Sequence, residues 1–331
     1  MVTRGGARLT RPRATDRLAG VMRHAYVSLD PLLPVLARAG RPIDWAVEFG
    51  RAAPVDLEIG CGNGEYLVRH ALTTPNRDVV GLELLWGRVK KTLRKIGLAG
   101  VPNARVLYGD AHLALDRLIP PASLARAYAL FPCPWPSSET DRRRLFGHAF
   151  LRTLNSRLAA DGTAYVVTDD RPYRDWLLAQ VPGSGFEAAT RLVGPDHATK
   201  FERKWHAGGQ TEFHRIDLVK VEHVTLPLKE ATPMRTHLIE GFEPARLPMR
   251  EAHTDDVRVR MKDLLYDPLR TVGMVHVVVV EDKLKQDLWI EIVPATGGWR
   301  IQPARGCNAV MTDGVQMALD LVLAACQGAA G

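Results

Sequence analysis

Apolar residues in the first two thirds of the chain recur in two alternating patterns, short continuous runs and runs with helical spacing. Val55, Leu57 and Ile59 follow Pro54 as a predicted strand, and residues 66–68 restart an apolar pattern with helical spacing. Further strands are predicted over 77–82, 104–108, 126–131 and 164–167. Strands that alternate with helices are typical of a parallel sheet covered by helices. The sequence therefore predicts a doubly wound, Rossmann-like α/β fold.

The last third of the chain shows a different pattern. Residues 275–280, 288–293 and 299–302 alternate or run apolar between polar turns, which predicts an antiparallel meander. Helical spacing predicts a closing helix over 315–326 and another helix over 257–266. These elements together predict an α+β unit that is smaller than the α/β unit before it.

Proline residues and the change of pattern divide the chain into parts. Pro227 and Pro233 mark a boundary. We expect a basic N-terminal arm over 1–44, an α/β domain over 45–225 and a smaller α+β domain over 233–331. The smaller domain carries no recognisable site motif, so it suits dimerisation, docking or capping of the core better than catalysis.

Composition and charge narrow the class of protein. The chain has 331 residues, 46% of them hydrophobic, and no run of 18 apolar residues, so we expect no membrane span. Residues 1–220 carry 32 Lys/Arg against 22 Asp/Glu, whereas residues 221–331 carry 12 against 15. Clustered cations favour a nucleic acid substrate, and the alternative is that they form solvated helix faces. The clusters are Arg88, Lys90, Lys91, Arg94 and Lys95 on one helix, Arg142 to Arg144, and Lys200 with Arg203 and Lys204.

The N-terminus and the cysteines bear on the cellular compartment. Five arginines lie before residue 18 without an apolar signal core, which indicates a flexible basic arm, with a transit peptide as the alternative. Cys61, Cys133, Cys307 and Cys326 show no CxxC spacing. We therefore expect no metal site and no disulfide framework, and the pattern favours a reducing cytoplasm.

A glycine-rich turn separates the first predicted strand from its helix. Gly60, Gly62 and Gly64 can adopt positive φ and bring the backbone close to a ligand. The dinucleotide fingerprint would need its third glycine where this chain has Glu65. A carboxylate there repels a pyrophosphate, whereas Glu58 and Glu65 suit S-adenosylmethionine, a cationic ligand without phosphates. The alternative is an ordinary tight turn.

Two more acids close the neighbouring strands. Glu83 ends the second strand, and Asp110 follows the third. Because the carboxyl ends of parallel strands face one crevice, Glu83 is placed to accept from ribose hydroxyls and Asp110 to meet an adenine amino group. Each acid could instead be a helix N-cap or a surface residue. We expect Glu58, Glu83 and Asp110 to converge on one crevice.

A proline-rich loop follows the fourth strand. Residues 131–139 contain three prolines around Trp135, which can neither continue a strand nor begin a helix. We expect this rigid loop to leave the sheet beside the glycine turn, where it can hold a flat base. The next strand delivers Thr168-Asp169-Asp170 to the same edge, and residues 198–203 add a turn of mixed charge.

Taken together, these stretches resemble the bacterial tRNA (guanine-N7)-methyltransferase family. The resemblance covers roughly residues 45–220, and its second half is specific because the proline–tryptophan loop is not a general methyltransferase feature. The matching segments, in order, are Phe49 to Gly64, Gly81-Leu82-Glu83, Gly109-Asp110-Ala111, Phe131-Pro132 with Pro134-Trp135, Thr168-Asp169 and Thr199-Lys200-Phe201-Glu202.

The resemblance implies a cytoplasmic, tRNA-modifying enzyme with S-adenosylmethionine as its cofactor. Residues 45–225 would be the methyltransferase domain, and the smaller domain could support a homodimer. By this resemblance Glu58, Glu83 and Asp110 would bind the cofactor, with Gly60, Gly62 and Gly64 around its methionine part. Asp169 would contact the guanine nucleotide, together with Ser137, Thr199, Lys200, Phe201 and Glu202.

Two positions depart from the family pattern. Cys133 stands where the family has an aspartate between the prolines, and Ser137 stands where it has a basic residue. N7 of guanine carries a lone pair and no proton, so methyl transfer needs no general base and positioning can supply the rate. Cys133 is expected to be a neutral thiol, and Asp141, Asp169 or Asp170 could take over the orienting role.

Three functions stay open at this point. The first is methylation of guanine N7 in tRNA, which the intact Thr168-Asp169 and Thr199 to Glu202 segments favour. The second is a tRNA-binding or regulatory protein that has lost turnover through Cys133 and Ser137. The third is a methyltransferase for another RNA or for a small molecule.

Overall fold

The structure is a computed structural model that describes residues 28–34, 42–135, 143–195, 202, 208–209, 211–281, 284–307 and 309–328. Several predictions concern residues outside these ranges. They are the arginines of the N-terminal arm, Ser137, Asp141, Arg142, Thr199, Lys200, Phe201, Arg203 and Lys204.

The larger of two sheets is built from the first eight strands of the described chain. These are β1 Leu32–Pro34, β2 Val55–Ile59, β3 Asp78–Glu83, β4 Ala104–Tyr108, β5 Leu124–Leu130, β6 Leu158–Thr168, β7 Phe186–Val193 and β8 Phe213–Lys220. Their order across the sheet is β1-β4-β3-β2-β5-β6-β8-β7. Pairing is parallel from β1 to β6, and β8 joins β6 and β7 in antiparallel register.

Helices connect the parallel strands and cover them. They are α1 Trp45–Phe49, α2 Glu65–Thr73, α3 Trp86–Ala99, α4 Ala111–Arg117, α5 His148–Arg157 and α6 Arg171–Gln180. Strands β2 and β3 are buried at every position, as expected for central parallel strands with both faces covered. The predicted α/β fold is confirmed.

The strand order places a crevice beside β2. From β2 the chain winds outward through β3 and β4, and it then returns to β5 on the other side of β2. Ligands of open α/β sheets bind at the carboxyl ends of the strands where the order reverses in this way. The glycine turn between β2 and α2 lies at this point.

The second sheet is antiparallel and has the order β10-β11-β12-β13-β14-β9. Its strands are β9 His237–Ile239, β10 Glu251–His253, β11 Val257–Asp267, β12 Val272–Glu281, β13 Leu284–Ala295 and β14 Gly298–Pro303, followed by α7 Asp313–Gly328. Buried residues of α7, among them Val315, Leu319 and Val322, pack with Val277 and Ile290 of the sheet in one core. The predicted meander and closing helix are present.

One predicted helix is wrong. Residues 257–266 form most of strand β11, which pairs with β12 along its length. The apolar residues Val257, Met261 and Leu264 satisfy helical spacing, but the register shift between Met261 and Asp263 turns Leu264 back to the side of Met261. A bulged strand and a helix therefore share one apolar pattern here.

Buried arginines fix the segment between the two sheets. Arg157, 1% exposed, donates from Nε to the Leu115 carbonyl and from Nη1 to the Leu226 carbonyl, both at 2.7 Å. Arg117 Nη1 donates to the Glu230 carbonyl at 2.7 Å. These bonds hold the residues around Pro227 against α4 and α5. Within the described ranges no helix is long and apolar enough to cross a membrane.

Candidate active site

The glycine turn has the backbone geometry that its sequence predicts. Gly60, Gly62 and Gly64 have φ of +77°, +58° and +71°. At Gly64 a Cβ would lie 2.4 Å from Cγ2 of Thr92, so both conformation and space exclude a side chain there. The Gly60 amide donates to the Leu82 carbonyl at 2.8 Å, which joins the turn to β3.

Helix α3 braces the same turn from the side. The Thr92 hydroxyl donates to the Gly62 carbonyl at 3.1 Å, and Lys95 Nζ donates to the Asn63 carbonyl at 2.9 Å. Lys95 also lies 3.4 Å from Glu65 Oε1 at the start of α2. These contacts hold the carbonyl groups of Gly62 and Asn63 against α3 and fix the position of the turn.

Glu83 joins the end of β3 to the glycine turn. Its Oε2 accepts from the Gly62 amide at 3.0 Å, and its Oε1 accepts from the Leu85 amide at 2.8 Å. Arg88 Nη1 lies 3.7 Å from Oε2. Each carboxylate oxygen keeps a further lone pair, so a ligand hydroxyl can be accepted without breaking these bonds.

Glu58 is a buried carboxyl group that faces the crevice. It is 3% exposed, and among the described residues its Oε2 has no hydrogen-bond partner. Burial raises the pKa of Glu58 to about 8, while the positive charge of Arg69 acts in the opposite direction. A buried carboxylate without a partner is costly, and a cationic ligand would offset that cost.

An aromatic group forms the wall behind Glu58. The rings of Tyr128 and Tyr165 stack at 5.3 Å, and Tyr66 meets the edge of Tyr128 at 5.5 Å. Burial raises the pKa of Tyr128, with the charge of Glu58 adding to the effect. This apolar wall keeps water from the Glu58 side chain and explains its raised pKa.

These elements enclose a cavity of about 200 Å³ at the carboxyl edge of the sheet. Its lining residues are Glu58, Gly60, Cys61, Gly62, Asn63, Glu65, Tyr66, Arg88, Lys91, Leu130 and Phe131. The unpartnered acid and the glycine backbone fit the cationic amino-acid part of S-adenosylmethionine. The buried Cys61 thiol has a raised pKa, chiefly because of burial, so it is neutral.

Asp110 lies at the end of β4 but acts as a helix cap. Its Oδ1 accepts from the amides of His112 and Leu113 at 2.8 and 3.2 Å, which begins α4. Asp110 also lines a separate cavity of about 100 Å³ together with Lys229 and Glu281. Glu58 and Glu83 meet at the glycine turn, whereas contact between Asp110 and a cofactor stays a prediction.

The proline–tryptophan loop leaves the sheet beside this cavity, as predicted. Phe131 and Trp135 have positive φ of 55° and 43°, which are strained values for residues with side chains. The Phe131 amide donates to the Val167 carbonyl at 2.7 Å, and its ring meets Phe213 edge-on at 5.1 Å. Phe131 thereby forms part of the wall of the cavity that Arg88 and Lys91 also line.

Arg144 is buried and holds this loop by hydrogen bonds, so it is not a surface cation. It is 8% exposed and donates from Nε to the Pro134 carbonyl at 2.7 Å and from Nη2 to the Trp135 carbonyl at 3.2 Å. Its guanidinium lies 5.1 Å from the centre of the Trp176 ring on α6. The prediction that residues 142–144 form a surface for a polyanion therefore fails for Arg144.

The residues after β6 approach the same edge. Register between β5 and β6 pairs Leu130 with Val167, so the strands end side by side. Asp170 caps α6 by accepting from the Tyr173 amide at 2.6 Å. Asp169 is half-buried, and burial raises its pKa, with the charge of Asp170 adding to the effect. Asp169 is thus the acid of this pair that is free of the capping role.

Cys133 and Glu202 complete the described residues on the base side. Cys133 is an exposed free thiol. Glu202 is 1% exposed, so its carboxylate is enclosed by the protein. The predicted contacts of Ser137 and residues 199–201 lie outside the described residues.

Thr92, Lys95 and Arg144 shape the site without having been predicted to do so. Thr92 and Lys95 lie three residues apart on α3, which puts both on the side that faces the turn. That spacing was a readable signal, although Lys95 was counted among the surface cations. Nothing in the local sequence distinguishes the buried Arg144 from exposed Arg143.

A parallel sheet with a glycine turn, a buried acid behind it and a second acid joining the next strand defines a Rossmann-like methyltransferase. A family model described as "Putative methyltransferase" matches residues 52–215. A tRNA (guanine-N(7)-)-methyltransferase of Chlorobium phaeobacteroides is 38% identical over 173 residues, covering 52% of this chain and 85% of the relative. The corresponding protein of Sodalis glossinidius is 34% identical over 217 residues, covering 64% of this chain and 91% of the relative. The chain belongs to the tRNA (guanine-N7)-methyltransferase family.

A third relative extends the similarity beyond the first sheet. The tRNA (guanine-N(7)-)-methyltransferase of Thermus thermophilus is 29% identical over 283 residues, covering 82% of this chain and 88% of the relative. A match of that length cannot fit within residues 1–225, so it reaches into the second sheet. At least part of the smaller α+β unit, which the motif-based resemblance did not include, therefore has a counterpart in this relative.

Proposed function

We propose that this protein transfers the methyl group of S-adenosylmethionine to N7 of a guanine in tRNA. The observation that carries the proposal is the cavity in which an unpartnered buried carboxyl, Glu58, faces the glycine turn. The proline–tryptophan loop and Asp169 stand at the same edge of the sheet. Membership of the family supports the choice of tRNA and of guanine N7.

The cofactor side of the site would be formed by residues of β2, β3 and their turns. Glu58 would bind the cationic part of the cofactor, Glu83 its ribose hydroxyls and Asp110 its adenine, with Gly60 to Gly64 around the methionine part. When bound, S-adenosylmethionine supplies an electrophilic methyl group. The contribution of the chain is to hold that side of the reaction in a fixed, water-poor cavity.

The base side would orient guanine N7 toward the methyl group. N7 has a lone pair and no proton, so no residue needs to remove one, and alignment of the two reactants can supply about 7–11 kcal/mol. Asp169 would hold the guanine and stabilise the positive charge that develops on the purine. Thr199, Lys200, Phe201, Glu202 and Ser137 would complete the base site by resemblance to the family.

The direct test uses purified protein, methyl-labelled S-adenosylmethionine and unmodified tRNA transcripts. We expect label in tRNA and N7-methylguanine after nuclease digestion. A matched transcript with 7-deazaguanosine in place of guanosine keeps the Watson–Crick pairing but has no N7 lone pair, so it should accept no methyl group. Labelling of the deaza transcript would contradict the N7 assignment, and labelling of another RNA only would favour a different substrate.

A second candidate function is tRNA binding without efficient turnover. The observation that favours it is that Cys133 is an exposed free thiol, which cannot supply the negative charge of an aspartate at that position. Wild type and Cys133→Asp separate the two candidates in the labelling assay. Turnover by wild type supports the enzyme. Turnover only by Cys133→Asp supports a protein that has lost its activity through the change at this position. Salt-dependent tRNA binding with no turnover by either protein supports the binding protein.

Domain limits, assembly and location belong to the same proposal. We place a basic N-terminal arm over 1–44, of which Leu32–Pro34 joins the larger sheet as β1, the methyltransferase domain over 45–225 and an accessory domain over 233–331. We place these in a cytoplasmic protein that dimerises through the accessory domain. The larger and smaller buried clusters support two units. Light scattering of the full chain after size exclusion tests the dimer, and a mass of one chain at all concentrations would reject it.

A further inference from the structure

Helix α3 carries an unusual distribution of charge. Its residues Trp86–Ala99 include five Lys/Arg and no Asp or Glu. The cations lie between residues 88 and 95, and the last turn contains none. The helix dipole favours cations in the last turn and disfavours them in the first, so Arg88 is unfavourably placed and none of the five cations gains from the dipole.

Neighbouring cations on α3 also repel one another. Lys90 and Arg94 lie four residues apart, and Lys91 lies four residues before Lys95. A like-charge pair at this spacing costs a helix about 0.2–0.5 kcal/mol. Lys90, Lys91 and Arg94 are exposed and have no ion pair with any acid in the described ranges. Lys90, Lys91 and Arg94 therefore form an uncompensated cationic face that an anionic partner would stabilise.

The opposite face of α3 makes it a rigid support. Val89, Leu93 and Ile96 are at most 2% exposed and pack in the core against β3 and β4. Thr92 and Lys95 are bonded to carbonyls of the glycine turn. The exposed cations are therefore held at a fixed position relative to the cofactor cavity.

The cationic face begins at the rim of the proposed active site. Arg88 and Lys91 line the cavity that contains Glu58, together with Leu130 and Phe131. At 1.5 Å per residue, the positions from Arg88 to Arg94 extend over about 9 Å along the helix. A polyanion that follows α3 would thus have one end at the cavity that Phe131 of the proline–tryptophan loop also lines.

We propose that the outer face of α3, formed by Lys90, Lys91 and Arg94, binds backbone phosphates of the tRNA next to the target guanine. The inference rests on the proposed tRNA substrate and adds the surface that positions it. Backbone contacts set the position of a nucleic acid without reading its sequence. The loop on the other side of the cavity is then left to select the base.

The test compares two double variants of equal charge and spacing. Lys90→Gln with Arg94→Gln removes two cations from α3 that do not line the cavity. Arg258→Gln with Lys262→Gln removes one Arg and one Lys, also four residues apart, from the exposed side of β11. Binding of fluorescent tRNA is measured by anisotropy between 50 and 300 mM salt, without methyl donor.

We expect the α3 variant to bind tRNA about tenfold more weakly, with the slope of log affinity against log salt reduced by roughly 1.4–1.8. The β11 variant should keep wild-type affinity and slope. The KM for tRNA should rise in the α3 variant, while its affinity for S-adenosylmethionine and its melting temperature should not fall, since a repulsive pair has been removed.

Either of two results of the binding measurement would overturn the inference. In one, the α3 variant binds tRNA with the affinity and salt slope of wild type. In the other, the β11 variant loses as much as the α3 variant, which would mean that net charge alone matters. If wild type methylates tRNA and the α3 variant has the same KM for tRNA, the α3 surface is rejected while the proposed function stands. Absence of both tRNA binding and methylation in wild type rejects the proposed function as well.

Discussion

The cofactor side and the base side of the candidate site are built in different ways. On the cofactor side, Gly60, Gly62 and Gly64 adopt positive φ at residues that tolerate it, and Glu83 and Thr92 bond directly to the turn. On the base side, Phe131 and Trp135 adopt positive φ with full side chains. Arg144 holds that loop from a distance of about ten residues along the chain.

The difference indicates a division of labour. A turn made of glycines between a strand and a helix adopts positive φ without side-chain strain, and it is suited to a ligand that many enzymes share. A loop with strained side-chain residues persists only because its surroundings over-determine it, and such strain is typical of sites specific to one function. Substitutions on the cofactor side should therefore affect donor affinity, and those on the base side should affect tRNA turnover.

The largest expected effect is that of Asp169→Asn. Removing a charge that stabilises the methylated purine should lower kcat by about 10²–10³ while leaving S-adenosylmethionine affinity unchanged. Single-turnover labelling and calorimetry measure the two quantities separately. Asp170→Asn is the matched control, because it removes the same charge while asparagine retains the cap of α6. An equal loss in both variants would show that Asp169 has no special role.

Gly64→Ala should have the next largest effect, a loss of cofactor affinity on the cofactor side of the site. The alanine would have to keep positive φ, and its Cβ would lie 2.4 Å from Thr92 Cγ2. We therefore expect cofactor affinity to fall about 10²-fold or more. In Gly62→Ala the nearest atom to the new Cβ is 4.0 Å away, which leaves only the backbone strain, a loss of about tenfold. Calorimetric titration with the demethylated cofactor measures the affinity of each variant. Equal losses in the two variants would mean that the clash with Thr92 does not contribute.

The same contrast explains which features the sequence could predict. The strands, the glycine turn and the positions of Glu58 and Glu83 depend on local patterns that one strand and its turn contain. The burial of Arg144 depends on α6 and the loop arriving together, and the strand over 257–266 depends on pairing with β12. Both are tertiary effects that override local signals. Asp110 shows the same limit, since a strand-end acid and a helix cap have one sequence signature.

A smaller but more diagnostic effect is the pH dependence of cofactor binding through Glu58. Its pKa is raised to about 8, so the carboxyl is largely protonated at neutral pH and must ionise to pair with a cation. Between pH 6 and 8 we expect cofactor affinity to rise by up to tenfold per pH unit, as the ionised fraction does. Calorimetry in buffers of different ionisation enthalpy should show proton release on binding.

Glu58→Gln is the control for this effect. The variant should bind the cofactor more weakly at pH 8 and lose both the pH dependence and the proton release. The pH dependence of the free energy of unfolding has the opposite sign to that of cofactor affinity. A carboxyl whose pKa is higher in the folded state stabilises the protein below the unfolded value, and this contribution is lost as pH rises toward 8. A pH-independent affinity in wild type would show that Glu58 does not contact the cationic part of the ligand.

Arg144→Lys should give the smallest effect, and on the base side only. The guanidinium of Arg144 reaches the Pro134 and Trp135 carbonyls from two separate nitrogens, whereas a lysine has a single nitrogen on a shorter reach, so we expect it to lose one of the two bonds. Loss of one such hydrogen bond is worth about 1 kcal/mol, which corresponds to roughly a fivefold rise in the KM for tRNA, because the loop is less often in its binding conformation. The affinity for S-adenosylmethionine should stay at the wild-type value. Arg143→Lys, at an exposed position beside the Trp135 ring, is the matched control, and a larger effect there than at Arg144 would mean that the guanidinium group of Arg143 itself contacts tRNA.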